Sequence, residues 1–377
     1  MTLNNTMTLS DEQATLLEVA TSFAREKASM SETRRQIPSE LGFDRALWDE
    51  MAELGWLGIA VPEQFGGSGL SLAEVVTVVE PMSRHLAGSP FISTQMFAQG
   101  VLSGGSKQLK RELLPQICRG AIGAVALFEE EGDWDLTRIT AGATADGDKV
   151  RLTGGKTLVC DAAAADFILV SVNLSGEPAL AVVKRGDLPR DRCKREVIID
   201  ETRRAYRLDL EGLIVPSSAM MTGASARAAL NAIRDTFLML GSAEAAGGIA
   251  GALDVIVEYL TTRSTFGRKI GSYQSLKHTC SEILIGLERS RSHIYHAASL
   301  LAANEDAKVA LSMAKVESAE TFVFAGDRAV QFHGGFGFTY DCDAQLYLRR
   351  ALWLQFAFGD AAYHRGRLAD LLLPADT

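Results

Sequence analysis

From 226 to 262 the apolar residues, among them Leu253, Ile256, Val257 and Leu260, keep the three- and four-residue steps of one helical face. Two further tracts of this kind follow, roughly 273–302 and 307–331. Helices of this length exceed the usual ~11–12 residues. Their apolar stripes must be covered by neighbours of similar length, so the C-terminal part of the chain reads as a long-helix bundle.

The first third is helical too. Ser10-Asp11-Glu12-Gln13 has capping-box spacing, and Leu16, Val19, Ala20 and Phe23 supply the buried face. A second helix is expected from Asp44 to Leu54, ended by Gly55. Pro81 falls inside a third apolar helix starting near Ser71, where a kink or break is expected. Near Ala121 the character changes. Short β-rich runs appear at 125–128, 139–144, 150–153, 167–172, 179–183, 197–199 and 206–210, and Asp146-Gly147 suits a tight hairpin. The expected fold is α+β, mostly α: an N-terminal helical domain (1–120), a middle antiparallel β-domain (121–224) and a C-terminal long-helix bundle (225–377).

Composition narrows the function. With 38 Lys+Arg against 47 Asp+Glu the net charge is −9, which argues against a chain built around nucleic acid or an anionic membrane. Five cysteines, none at CxxC spacing, fit reduced thiols rather than a zinc site or redox pair. Met1–Ser10 has no basic n-region or apolar core, and no uninterrupted apolar run reaches ~18 residues. A soluble, cytoplasmic protein without a secretory leader or membrane span is expected. No GxGxxG, GxxxxGK[ST] or GxSxG pattern is present. His293 and His296 stand at a metal-ligand spacing, but no carboxylate completes the set, so no metal site is expected.

Three stretches suggest anion and ring recognition: Arg263-Ser264-Thr265-Phe266-Gly267, Ser272-Tyr273-Gln274, and Gln331-Phe332-His333-Gly334-Gly335-Phe336-Gly337. Arginine offers paired donors to phosphate, an aromatic ring can stack on a heterocycle, and a double glycine lets backbone amides come close to a pyrophosphate.

On these stretches the chain resembles the acyl-CoA dehydrogenase family. So do Leu54-Gly55-Trp56-Leu57-Gly58 continuing to Gly69, and Gly155-Lys156-Thr157-Leu158-Val159 followed by Ala165-Asp166. The resemblance covers nearly the whole length. It implies FAD held non-covalently where protomers meet, an acyl-CoA substrate, and electron-transfer flavoprotein as acceptor. Arg263 and Phe266 would contact the diphosphate and adenine half, with Gln274 closing that segment. Gln331, Gly334 and Gly335 would reach FAD from the neighbouring subunit. Leu127 and Phe128 would run along the flavin and thioester, with Leu158 and Cys160 facing them. The implied reaction removes an α-proton to a carboxylate and passes the β-hydride to flavin N5, introducing an α,β double bond.

The family pattern fails at the base. The position usually held by glutamate carries Phe358, and the alternative, twenty-six residues before Arg263, carries Phe237. Glu244 is the first remaining candidate: it follows Phe237 by seven residues, nearly the same helical face, among Ala243, Ala245, Ala246, Gly247 and Gly248. That apolar setting would tune a carboxylate toward neutrality; the alternative is a helix-packing glutamate paired with a nearby arginine. Asp360 is the second. Where the family has a threonine and a small loop, this chain has Phe128-Glu129-Glu130-Glu131-Gly132-Asp133-Trp134-Asp135. The segment from Phe358 to Arg365 resembles bacterial family members acting on steroid or other bulky side chains. Some of those are α2β2 heterotetramers with the base on one subunit type only. Three readings follow: a competent FAD-dependent dehydrogenase in a homotetramer or heterotetramer, a flavin-contacting but non-catalytic partner in an α2β2 assembly, or a member with different flavin or thioester chemistry.

Overall fold

The structure, a computed structural model, describes residues 9–373. Residues 1–8, on which most of the expectation of no leader rests, lie outside that range. Six helices open the chain: α1 (Asp11–Lys27), α2 (Met30–Gln36), α3 (Arg45–Glu53), α4 (Leu72–Ser83), α5 (Phe91–Gly104) and α6 (Lys107–Cys118). Ten short strands follow: β1 (Gly123–Ala126), β2 (Gly142–Asp146), β3 (Lys149–Thr153), β4 (Gly155–Cys160), β5 (Phe167–Leu174), β6 (Glu177–Lys184), β7 (Cys193–Glu196), β8 (Ala205–Asp209), β9 (Ile214–Pro216) and β10 (Met220–Thr222). Then come α7 (Gly223–Thr262), the two-residue strands β11 (Ser264–Thr265) and β12 (Arg268–Lys269), and the helices α8 (Gln274–Ala302), α9 (Lys308–His333), α10 (Ala344–Phe356) and α11 (Ala361–Leu372).

The order is the expected α, β, α. By compactness, however, the chain divides into two units that interleave in sequence. One takes the residues up to Arg35, Ser71–Ala87 and everything from Leu238; the other takes Gln36–Leu70 and Gly88–Phe237.

In the first unit, α1 begins with both halves of the capping box: Gln13 N donates to Ser10 Oγ and Ser10 N to Gln13 Oε1, each at 3.1 Å. Pro81 does not break α4, which runs on to Ser83. Proline removes one backbone donor, and the helix ends two residues later, so little of the ladder is lost. Small residues on α7 permit close crossings. A Cβ on Gly248 would lie 2.1 Å from the Phe322 ring of α9, and one on Gly247 2.2 Å from the Glu80 carbonyl of α4. Arg291 of α8 ties α4 through Glu80 at 2.5 Å. By length and composition α7 could cross a membrane, but 78% of its apolar window is buried inside the protein. It is a core helix.

The second unit holds the sheets. The larger has the order β10-β6-β5-β2-β3-β9, with β1 also on β5. It is mixed, not antiparallel as expected: β1 and β2 both pair with β5 in parallel. Local turn chemistry reveals hairpins, whereas a parallel pair is joined by a long connection that leaves no local trace. The Asp146-Gly147 hairpin does form, with Asp146 opposite Lys149. The expected strand at 197–199 is irregular, and Val197 is fully exposed; the strand there is β7, just before it. β4, β8 and β7 make a separate antiparallel sheet, with β4 bulged between Lys156 and Val159. α5 packs beneath β1 and β5. The Phe97 and Phe167 rings stack at 6.1 Å, and a Cβ on Gly123 would sit 2.4 Å from the Phe97 ring. Arg204 is 1% exposed and clips the start of this unit, donating to the carbonyls of Gln36, Ile37 and Ser39 at 2.7–3.0 Å.

The corner between α9, α10 and α11 is closed by a buried lysine. Lys315 of α9 donates to the carbonyls of Leu354 and, at 3.4 Å, Gln355, at the end of α10. Cations suit helix C-termini. Burial still pushes this ammonium down to about 7, against the opposing pull of Asp360. Between pH 7 and 10.5 the unfolded chain therefore holds more protons at this site than the folded one. The lysine's cost is full below pH 7 and is relieved as pH rises through that window. The unfolding free energy of the wild type should accordingly rise from pH 7 to 9 relative to a Lys315→Met variant. Denaturant midpoints measured on both across pH 6–9 test this; a pH-independent difference would refute it.

Candidate active site

In the sheet-bearing unit the chain beyond β1 meets β4. Thr157 N donates to Phe128 O at 2.9 Å, an isolated antiparallel bridge. This bond brings Leu127 and Phe128 beside Leu158. Leu158 sits in the β4 bulge at φ +53° and is 41% exposed; Cys160, half-buried, pairs opposite Ala205. Glu196 of β7 fastens the bulge, accepting from Thr157 Oγ and Leu158 N, each at 2.7 Å.

The acidic run is divided rather than clustered. Glu129 turns inward to Lys156 at 2.6 Å and accepts from Thr140 N and Ala141 N. Those donors outweigh the cost of its burial and hold its carboxyl at about 2. Glu130 pairs with Arg207 at 3.2 Å and Asp133 with Arg138 at 2.8 Å.

In the helical unit, α7 ends at Thr262, and Arg263 follows with its guanidinium exposed. Among the described residues no ion-pair partner of Arg263 is found. Phe266 tips the β11–β12 turn at φ +50°, 95% exposed, and the exposed Gln274 starts α8. Gln331 lies in the last turn of α9. Gly334 and Gly335 follow that helix, exposed, with open space where a Cβ would stand. The Tyr259 and His333 rings stack at 4.2 Å. Tyr259 is one helical turn before Arg263, and His333 adjoins Gly334. Within one chain, this stack sets the end of α7 beside the end of α9. An exposed guanidinium, an exposed ring and an open glycine turn fit a diphosphate joined to a heterocycle, and so fit FAD.

Glu244 is 2% exposed and paired with an arginine, which is the packing role the sequence left open beside that of a base. Arg350 of α10, 1% exposed, donates to Glu244 Oε1 and, at 3.3 Å, to Leu86 O. Helix periodicity shows the small residues beside Glu244 and cannot show an arginine about a hundred residues away. Asp360 caps α11, accepting from Tyr363 N at 2.8 Å. Phe358 is 9% exposed at φ +58°, and the buried His364 donates from Nε2 to its carbonyl at 3.0 Å. Burial pushes His364 down to about 4, so its ring is neutral near pH 7.

Sequence reading missed the contacts that Lys156, Glu196 and Arg350 make with candidate residues or their neighbours. Lys156 alone gave a trace, a lysine inside a strand, since Glu196 and Arg350 act over long separations. A cavity of about 1090 Å³ lies elsewhere, in the helical unit, lined by residues of α1, α4, α7 and α8, and none of the candidate residues lines it.

The chain matches known proteins along most of its length. The acyl-CoA dehydrogenase N-terminal domain matches residues 10–121, and the acyl-CoA dehydrogenase C-terminal domain residues 219–373. Acyl-CoA dehydrogenase IpdE2 of Mycolicibacterium smegmatis is 26% identical over 346 residues, 91% of this chain and 93% of that protein. Acyl-CoA dehydrogenase FadE12 of Mycobacterium tuberculosis is 30% identical over 308 residues, 78% and 79% of the two chains. Among solved structures, a variant of the Tcur3481-Tcur3483 steroid ACAD is 28% identical, with a TM-score of 0.86 over 97% of this chain and 98% of that one. By its fold and these matches the chain belongs to the acyl-CoA dehydrogenase family, flavoproteins that use FAD to oxidise the CH–CH bond of a CoA thioester.

Proposed function

We propose that this chain lends its flavin- and thioester-lining surfaces to an acyl-CoA dehydrogenase acting on a bulky, ring-bearing CoA thioester. The proton-accepting carboxylate comes from a second, different chain of an α2β2 assembly, and electron-transfer flavoprotein is the acceptor. One observation carries the reading. Phe237 and Phe358 fill both familiar base positions, while Glu244 is held by Arg350 and Asp360 caps a helix. A phenyl ring accepts no proton. A carboxylate locked to a guanidinium already has its charge matched, so drawing a proton onto it also breaks a buried pair. The likeness to the Tcur3481-Tcur3483 steroid ACAD supports both the substrate class and the two-component assembly.

FAD, when bound, supplies the hydride acceptor. The chain's own residues do the rest of their share. Arg263 holds the diphosphate, with Gln274, Gln331 and the amides at Gly334 and Gly335 around it, and Phe266 covers the adenine half. Leu127, Phe128, Leu158 and Cys160 form an apolar face that keeps water from the reacting carbons. A dry face matters because the α-proton is weakly acidic and its removal builds charge on the thioester oxygen.

A second reading keeps Glu244 as the base of a chain competent by itself. Its near-complete burial among small residues favours this.

Purified alone, the chain should be colourless or hold flavin that acyl-CoA does not bleach; with the second polypeptide it should bleach. Bleaching of the isolated wild-type chain by an acyl-CoA would overturn the assignment. Glu244→Gln should leave bleaching by the assembled enzyme within about twofold while lowering stability by about 3 kcal/mol, because Arg350 loses its charge partner. Abolished bleaching with unchanged stability would instead make Glu244 the base. Phe358→Glu should install the missing base, since glutamate meets no more backbone strain there than phenylalanine does. Where the isolated chain holds flavin, acyl-CoA should then bleach it in the variant and not in the wild type, read by stopped-flow absorbance.

A further inference from the structure

Lys156 stands in β4, on the segment that carries Leu158 and Cys160, yet its ammonium is 0% exposed. Its three protons meet three acceptors: Glu129 Oε1 at 2.6 Å, Ser171 Oγ at 2.9 Å and Leu127 O at 3.4 Å. Ser171 Oγ in turn lies 3.3 Å from Leu127 O and 3.5 Å from Ala126 O, sharing one proton between them. Glu129 is fixed from its far side by Thr140 and Ala141. The lysine is thus a brace from one lining segment to the carbonyl edge of the other, anchored to a carboxylate that cannot move.

Stability alone does not account for this arrangement. Apolar side chains of similar volume usually replace a buried ion pair at no loss. What the network does determine is orientation. A trans peptide points its C=O and N–H in opposite directions. Holding Leu127 O against Lys156 therefore turns the Phe128 amide the other way, out of the buried network. Thr157 N, next to Lys156, holds Phe128 O and completes the frame.

We infer that Lys156, with Glu129 and Ser171, is a positioning residue that fixes from behind the peptide groups of the flavin-lining segment Leu127–Phe128. This rests on the reading that this face meets FAD. The network orders the segment before the cofactor arrives, so binding spends no energy on ordering it.

The test uses the full chain, with its partner polypeptide where flavin uptake requires one, stripped of flavin and titrated with FAD. A Lys156→Met, Glu129→Gln double variant removes both charges together and leaves one amide oxygen to accept from Thr140, at the loss of the Ala141 bond. Its flavin-free melting temperature should stay within a few degrees of wild type. Its FAD affinity should fall about tenfold, and the vibronic shoulders of the bound flavin's visible band should blur. Wild-type affinity and band shape in the double variant would overturn the inference. Should that variant not fold, Ser171→Ala decides: about threefold weaker FAD binding with the same blurring supports the brace, and no change refutes it. If the wild type takes up no FAD in any assembly, the functional reading falls and takes this inference with it. A yellow wild type beside an equally yellow double variant sinks the inference alone.

Discussion

Arg350 reaches from α10 to Glu244 on α7 and to the Leu86 carbonyl, and both ends of the pair are nearly sealed from water. Two charges taken out of water are expensive, and their mutual attraction repays the cost only while the geometry holds. The pair therefore pins α10 to α7. It also fixes the end of α10, from which the Ala357–Asp360 turn departs with Phe358 in a left-handed conformation. Lys315 and His364 finish that turn from two further helices. A loop tied at its start, its middle and its exit is a rigid part, and it holds the phenyl ring of Phe358.

The sequence alone told more about elements than about their partners. Long helices were legible because periodicity repeats over many turns, and the α1 cap appeared because its two residues lie three apart. The Asp146-Gly147 hairpin was local in the same sense. What failed was non-local. β1 and β2 reach β5 through long connections, so a mixed sheet read as an antiparallel one. Pro81 looked like a break because its position near the end of α4 could not be seen.

The candidate site divides along the same line. Arg263, Phe266, Gln274, Gln331, Gly334 and Gly335 form two compact stretches whose chemistry is visible in the residues themselves. Their adjacency on one chain needed the Tyr259–His333 stack to reveal it. Glu244 shows the reverse. Its neighbours in sequence are small and apolar, and the decisive neighbour is an arginine on another helix. A buried carboxylate read from sequence is therefore half an observation, because the missing half, the identity of the countercharge, decides between a base and a structural ion.

On the proposed reading, a chain can lack the reacting group and keep the rest. Holding a cofactor needs many weak contacts spread over exposed turns, and each survives the loss of another. Removing a proton needs one group in one place. On the proposed assembly a second polypeptide supplies that group, so selection on this chain acts on the shape of its lining and on the braces behind it. On that reading Lys156 and Glu129 are such braces: the lysine is sealed from water and reaches the lining segment at the Leu127 carbonyl.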